Sequence, residues 1–174
     1  MKIVLAVVVC LVVCAVVIAQ QTTTETPKPE PQMMCPMHDA HMKMNERSEK
    51  GMGFSQTSTT HHFFLRANGG VIQVEANDPG DASSRNSIRM HLGHIAQAFQ
   101  KGDFDIPMFV HDTVPPGVPE MKELQNDIRY SFEETASGGR VVISSSNKKA
   151  LRAIHQFLRF QIAEHKTGDP IEVR

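Results

Sequence analysis

The chain has 174 residues, with 18 Lys and Arg against 19 Asp and Glu, nine histidines, ten methionines, three cysteines and no tryptophan. A formal charge of −1 provides no basic field, which excludes nucleic acid and an acidic membrane surface as charge-driven partners. The length suits one compact domain with flanking segments rather than two domains.

The chain opens on a single charge, Lys2, followed by an unbroken apolar run from Ile3 to Ile18 and a small residue, Ala19. A basic start, an apolar middle and a small-residue exit predict a secretory signal peptide over residues 1–19. The run is shorter than the ~20 residues of a membrane span. The expected mature chain therefore has no span and is periplasmic or extracellular, an uncleaved anchor being the alternative. Cleavage removes Cys10 and Cys14 and leaves Cys35 alone, so no internal disulfide can form. Loss of Lys2 takes the net charge from −1 to −2. Residues 20–32, rich in Thr, Pro, Gln and Glu, have too little apolar surface to fold and read as a linker.

Residues 33–53 have the sharpest chemistry. Between Met33 and Met44 lie five methionines, Cys35, His38 and His41. Thioether, thiolate and imidazole are the soft donors that suit Cu(I) and, through Cys and His, zinc. The stretch has little aliphatic bulk and no clean amphipathic period, so a core role explains it poorly. Cys35, His38 and His41 are spaced by three, and a turn or helical loop would converge them on one ion with Met37 or Met42 as a fourth ligand. The string Cys35-Pro36-Met37-His38 resembles the short heavy-metal-binding motif that precedes some bacterial copper-exporting ATPases and metal-efflux adaptors. Asp39 stands where that motif has a second proline. The resemblance covers about a dozen residues and implies metal binding rather than transport.

Residues 54–168 read as the globular domain. His61 to Arg66 and Val71 to Glu75 flank Asn68-Gly69-Gly70, a hairpin signal. A helix is expected from Ser83 to Lys101, with Ile88, Leu92, Ile95 and Phe99 on one face. Ile106 to Val110 reads as a short strand, and a short helix is expected over 119–126 after the prolines of 114–119. The order then repeats. Arg129 to Glu134 and Arg140 to Ser144 flank Ser137-Gly138-Gly139, and Asn147 caps a helix from Lys148 to His165 with Leu151, Ile154, Leu158 and Ile162 as its stripe. Gly102 and Gly168 are the expected helix stops. Residues 169–174 read as a polar tail. The predicted fold is α+β: two β-hairpin–helix units forming an antiparallel sheet with helices on one face.

Seven histidines lie beyond residue 60. His61 and His62 are adjacent on a strand and point to opposite faces. His91 and His94 are three apart on a helix and are neighbours on its surface. With His62 or His61 as a third donor they form a second, weaker metal candidate. His111, His155 and His165 are expected to be a loop histidine, a core-boundary histidine and a helix-closing cation. No Gly-x-Ser-x-Gly elbow, phosphate loop, His-Glu-x-x-His helix or Cys-x-x-Cys pair occurs.

The strings Thr60-His61-His62-Phe63, Val74-Glu75-Ala76-Asn77-Asp78-Pro79, Ile88-Arg89-Met90-His91-Leu92 and Phe157-Leu158-Arg159-Phe160-Gln161 resemble a family of small secreted bacterial domains. Members are sometimes labelled aspartate carbamoyltransferases. That activity needs a Ser-Thr-Arg-Thr-Arg phosphate loop and two α/β domains, and this sequence has neither. The sequence thus points to a non-enzymatic exported protein that binds a soft metal ion, copper before zinc, for sequestration or delivery to an envelope metal-handling protein. Cys35, Met37, His38, His41 and Met42 are the expected ligands. The alternatives are a secreted interaction module built from the hairpin–helix units, and a metal-dependent hydrolase or transferase using His62, His91 and His94.

Overall fold

The computed structural model describes residues 36–174, with side chains from Met42 onward. The expected signal peptide, the linker and Cys35 lie outside the described residues, as do the side chains of Met37, His38 and His41. The element order is α1 (Pro36–Met52), β1 (Thr59–Arg66), β2 (Gly69–Ala76), α2 (Ala82–Gln100), α3 (Asp105–His111), α4 (Val118–Glu123), β3 (Ile128–Glu134), β4 (Gly138–Ser145) and α5 (Lys148–His165). The fold is α+β, with one antiparallel sheet in the order β1-β2-β4-β3.

The two hairpins meet through their second strands, β2 on β4, in a register that pairs Val71 with Val142 and Ile72 with Val141. The core lies between one sheet face and the helices. Phe63, Leu65, Ile72, Val74, Val141 and Ile143 supply the sheet side, and Ile88, Leu92, Ile95, Phe99, Ile154, Phe157 and Leu158 the helix side. The helices cross over. α2 follows β2 but rests mainly on β4 and β3, whereas α5 follows β4 and rests on β1 and β2.

Each helix also holds the far hairpin's turn. Arg89 of α2 donates to Gly138 O at 3.0 Å and Thr135 O at 2.7 Å, and pairs with Glu134 at 3.0 Å. His155 of α5 donates from Nε2 to Arg66 O at 2.9 Å and Gly69 O at 3.0 Å. His155 is therefore a turn clamp, in the place equivalent to Arg89.

Local chemistry sets the boundaries. Asp81 caps α2 by accepting from Ser84 N, and Asn147 caps α5 by accepting from Lys149 N and Ala150 N. Gly102, at φ +73°, ends α2 with Asp103 N bonded back to Ala98 O. At α5 the left-handed residue is Lys166, two positions before the expected Gly168.

Three expectations are corrected. The stretch 106–110 is helical, not a strand. Its buried residues are Phe104, Pro107, Val110 and His111, a helical spacing, and Pro107 sits in the first turn where its missing N–H is not needed. The hairpin glycines belong to the strands rather than the turns. Ala67 and Asn68 form the first turn with negative φ, and Gly69 follows as the fourth residue. His111, expected in a loop, is buried in the last turn of α3. α1 in turn packs on α3, burying Met44 and Ser48. Arg47 Nε donates to Val110 O at 2.9 Å, and Gly51 lets the helices approach where a β-carbon would lie 3.5 Å from Val110.

The chain after α5 is also ordered against the domain. Arg174 pairs with the outer edge of β1, donating to Leu65 O and accepting from Ala67 N, and so covers an edge that would otherwise offer unpaired groups.

At Gly69, φ is +145° and an added β-carbon would lie 2.0 Å from Ile143 O, a backbone atom. At Gly53, φ is +75° and nothing lies within 4 Å. Gly69→Ala should therefore cost about 2–4 kcal/mol and Gly53→Ala only about 1 kcal/mol in denaturant unfolding. Equal costs would contradict this packing of the hairpin on β4.

Candidate functional site

The strand period puts Thr59, His61, Phe63 and Leu65 of β1 on the helix-facing side and His62 and Phe64 on the other. Beneath α2 and α5, and closed at one end by α3 and the last turn of α1, lies a cavity of about 70 Å³. Its wall is mostly apolar, with Met52, Phe63, Ile72, Val74, Leu92, Ile95 and Phe157 among its lining residues. Into it come four histidines from four elements: His61 (β1), His91 (α2), His111 (α3) and His165 (α5), together with Gln161.

The imidazoles are packed as rings. His61 stacks on His165 with centroids 5.4 Å apart, and His165 meets His111 edge to face at 5.1 Å. Phe54 bridges His61 and His91, at 6.1 and 5.6 Å. His111 Nε2 and Gln161 Oε1 are 2.9 Å apart. An amide oxygen only accepts, so His111 is protonated on Nε2. Its Nδ1 then keeps a free lone pair in a buried position with no hydrogen bond, 3.9 Å from a Glu164 oxygen. The Gln161 amide nitrogen is buried as well, and neither atom has a hydrogen-bond partner among the described residues.

Burial governs the charge of this cluster. Desolvation lowers His61 to about 4, helped by the positive charge that His91 and His62 would carry. Desolvation, then His94, lowers His91 to about 4. His111 is also lowered by burial, although Gln161 and Glu164 oppose the shift. At neutral pH His61, His91 and His111 are therefore uncharged imidazoles, the form that accepts hydrogen bonds and ligates metals.

The sequence candidates are only partly brought together. His91 and His94 share an open groove beside the cavity mouth, lined also by Met52, Met90, Ser87 and Ile106. His62 does not join them. It lies on the other side of β1, where Nδ1 is 3.0 Å from Asp169 Oδ1, while Asp169 Oδ2 accepts from Phe63 N and Thr167 Oγ1. Burial alone would raise the Asp169 carboxyl, but the bonds from Thr167, Phe63 and His62 hold it below its ordinary value. The residue that does line the cavity with His91 is His61. Met42 is exposed on α1, and Met37, His38 and His41 precede it on the same helix. Among the described residues no three His, Cys, Asp or Glu side chains are arranged to hold a metal ion.

Sequence reasoning assigned no site role to His111 or His165. The available signal was helical spacing: Phe157, Gln161 and His165 recur at four-residue intervals and so lie in one row on α5. Compared with known protein families, characterised proteins and solved structures, the chain matches none.

The neutral cluster makes a signed prediction for the metal-free protein. Above pH 6.5 His61 and His91 are uncharged folded or unfolded, and contribute no pH dependence. Between pH 6.5 and 4 the unfolded chain binds protons that the folded chain refuses, so stability falls as pH falls, by roughly 3 kcal/mol for each of the two. Denaturant midpoints measured from neutral pH down to 4 should decline steadily. The decline should flatten in a His61→Phe, His91→Phe variant. An unchanged slope in that variant would show that other groups cause the acid lability.

Proposed function

We propose that this is an exported soft-metal-binding protein that captures Cu(I), for sequestration or for delivery to a metal-handling partner in the cell envelope. Cys35, Met37, His38, His41 and Met42 are its first ligands, and zinc is the competing ion. It acts outside the cytoplasm and catalyses no reaction of its own; the metal is cargo.

One observation carries this reading. The donor-rich segment runs into a helix whose later turns are fixed to the domain. On α1, position 37 is four from 41, and position 38 is three from 41 and four from 42, the spacings at which residues of a helix are neighbours. Met44, Ser48 and Gly51 seat that helix on α3, and Arg47 bonds to its last turn. A ligand set that continues a docked helix loses less conformational freedom on binding than one on a free tail. Cys35 is the residue before α1 in the sequence.

The enzyme alternative required His62 with His91 and His94. His62 is engaged by Asp169 on the other side of the strand, which weighs against that set; His61, which lines the cavity with His91, is the other candidate third donor.

The test is an anaerobic Cu(I) titration of the exported protein against a colorimetric Cu(I) chelator. The reading predicts a tightly held equivalent at this segment that a Cys35→Ser, His38→Ala, His41→Ala variant loses, with affinity there falling at least about 100-fold, or about 2.7 kcal/mol. Thermal stability should be unchanged, since the variant keeps Met44, Arg47 and Gly51, which hold α1 against α3. Equal affinity in the variant and the unmodified protein would overturn the reading.

A further inference from the structure

We infer that the groove between the end of α1 and α2 is a second Cu(I) site, made by the thioethers of Met52 and Met90 and the imidazoles of His91 and His94. The inference rests on the soft-metal reading above but uses none of residues 33–44.

Four observations carry it. First, all four side chains line one open groove. Second, Met90, His91 and His94 occupy an arc of about 100° on α2 and span about 6 Å along its axis, so their side chains are mutual neighbours. Met52 comes from the last turn of α1, opposite them. Third, Met90 is 72 % exposed, the most exposed of the large apolar side chains on the described surface. A flexible thioether held in water beside two imidazoles contributes little to packing and is free to turn toward an ion. Fourth, no carboxylate lines the groove. A neutral set of two sulfurs and two nitrogens discriminates against Mg²⁺ and Ca²⁺, which require oxygen ligands, and suits a soft monovalent ion.

The arrangement gives α1 a donor set at each end. Met42 and Met52 are ten residues apart, about 15 Å along the helix axis. An ion captured at the beginning of α1 thus has a second holding place on the same helix, beside the cavity that His61 and His91 line. Met52 and His91 belong to both the groove and the cavity wall.

The experiment measures Cu(I) stoichiometry by anaerobic chelator competition in four full-length exported proteins: unmodified, Cys35→Ser/His38→Ala/His41→Ala, Met90→Leu/His94→Gln, and the combination. Two equivalents are expected for the first, one for each partial variant and none for the combination. Met90 and His94 are exposed, so their replacement should leave the unfolding midpoint unchanged. In the Cys35 variant labelled with ¹³C-methyl methionine, added Ag(I) should shift the Met52 and Met90 resonances and leave the buried Met121 in place. If the Cys35 variant binds no Cu(I), or keeps its equivalent after Met90→Leu/His94→Gln is added, the groove site is wrong. If instead the Cys35 variant binds as the unmodified protein does and Met90→Leu/His94→Gln abolishes all binding, the groove stands and the earlier ligand set fails.

Discussion

The helix of each hairpin–helix unit packs on the other unit's strands, and this exchange is the constraint on which the rest of the structure depends. Neither hairpin closes a core with its own helix alone. α2 covers β4 and β3, α5 covers β1 and β2, and the two halves become one cooperative body. Arg89 and His155 express the same constraint in polar form. Each donates to carbonyl groups at the opposite hairpin's turn and so ties that turn to the helix. Because α5 lies over β1, His165 reaches His61. Because the end of α3 packs against α5, His111 reaches Gln161.

The histidine-lined cavity is a consequence of that crossing, and its chemistry follows from burial. Imidazoles surrounded by Phe63, Ile72, Leu92 and Phe157 are desolvated, so the neutral form is favoured well below the ordinary histidine range. The unbonded Nδ1 of His111 and the amide nitrogen of Gln161 are costs of about 1–3 kcal/mol each unless something occupies the space beside them. The donor-bearing helix α1 ends at this same place, since Met52 lines both the cavity and the outer groove.

The hairpin–helix repeat was legible because its signals are local: Asn68-Gly69, Gly138-Gly139, the cap Asn147 and two apolar stripes with a period of 3.6. The bounds expected for α5, Lys148 to His165, are those observed. The misread elements were those whose pattern is set by a neighbour. At Ile106–Val110 an apolar run of five fits strand or helix, and only Pro107 in a first turn decided it. On α1 the buried stripe is Met44, Ser48 and Gly51, and a serine and a glycine carry no hydrophobic signal even though they permit close packing on α3. Strand parity at His61 and His62 was undecidable because Phe63 and Phe64 supply an aromatic to each face. Which histidine faces inward is fixed by Leu65 in the core and by Asp169 holding His62 outside. The four-histidine cluster joins positions 61, 91, 111 and 165, and no sequence spacing encodes a meeting that depends on helices crossing.

The central claim is that α1 is an integral, docked element that carries soft donors to the domain, and native-state amide hydrogen exchange of the metal-free protein tests it most directly. Amides of residues 48–52 should exchange through the same slow opening as those of α3, since Met44, Arg47 and Gly51 tie the two helices together. Exchange of those amides at free-chain rates, while α2 and α5 remain protected, would show that the donor segment is not held by the domain and would contradict the account.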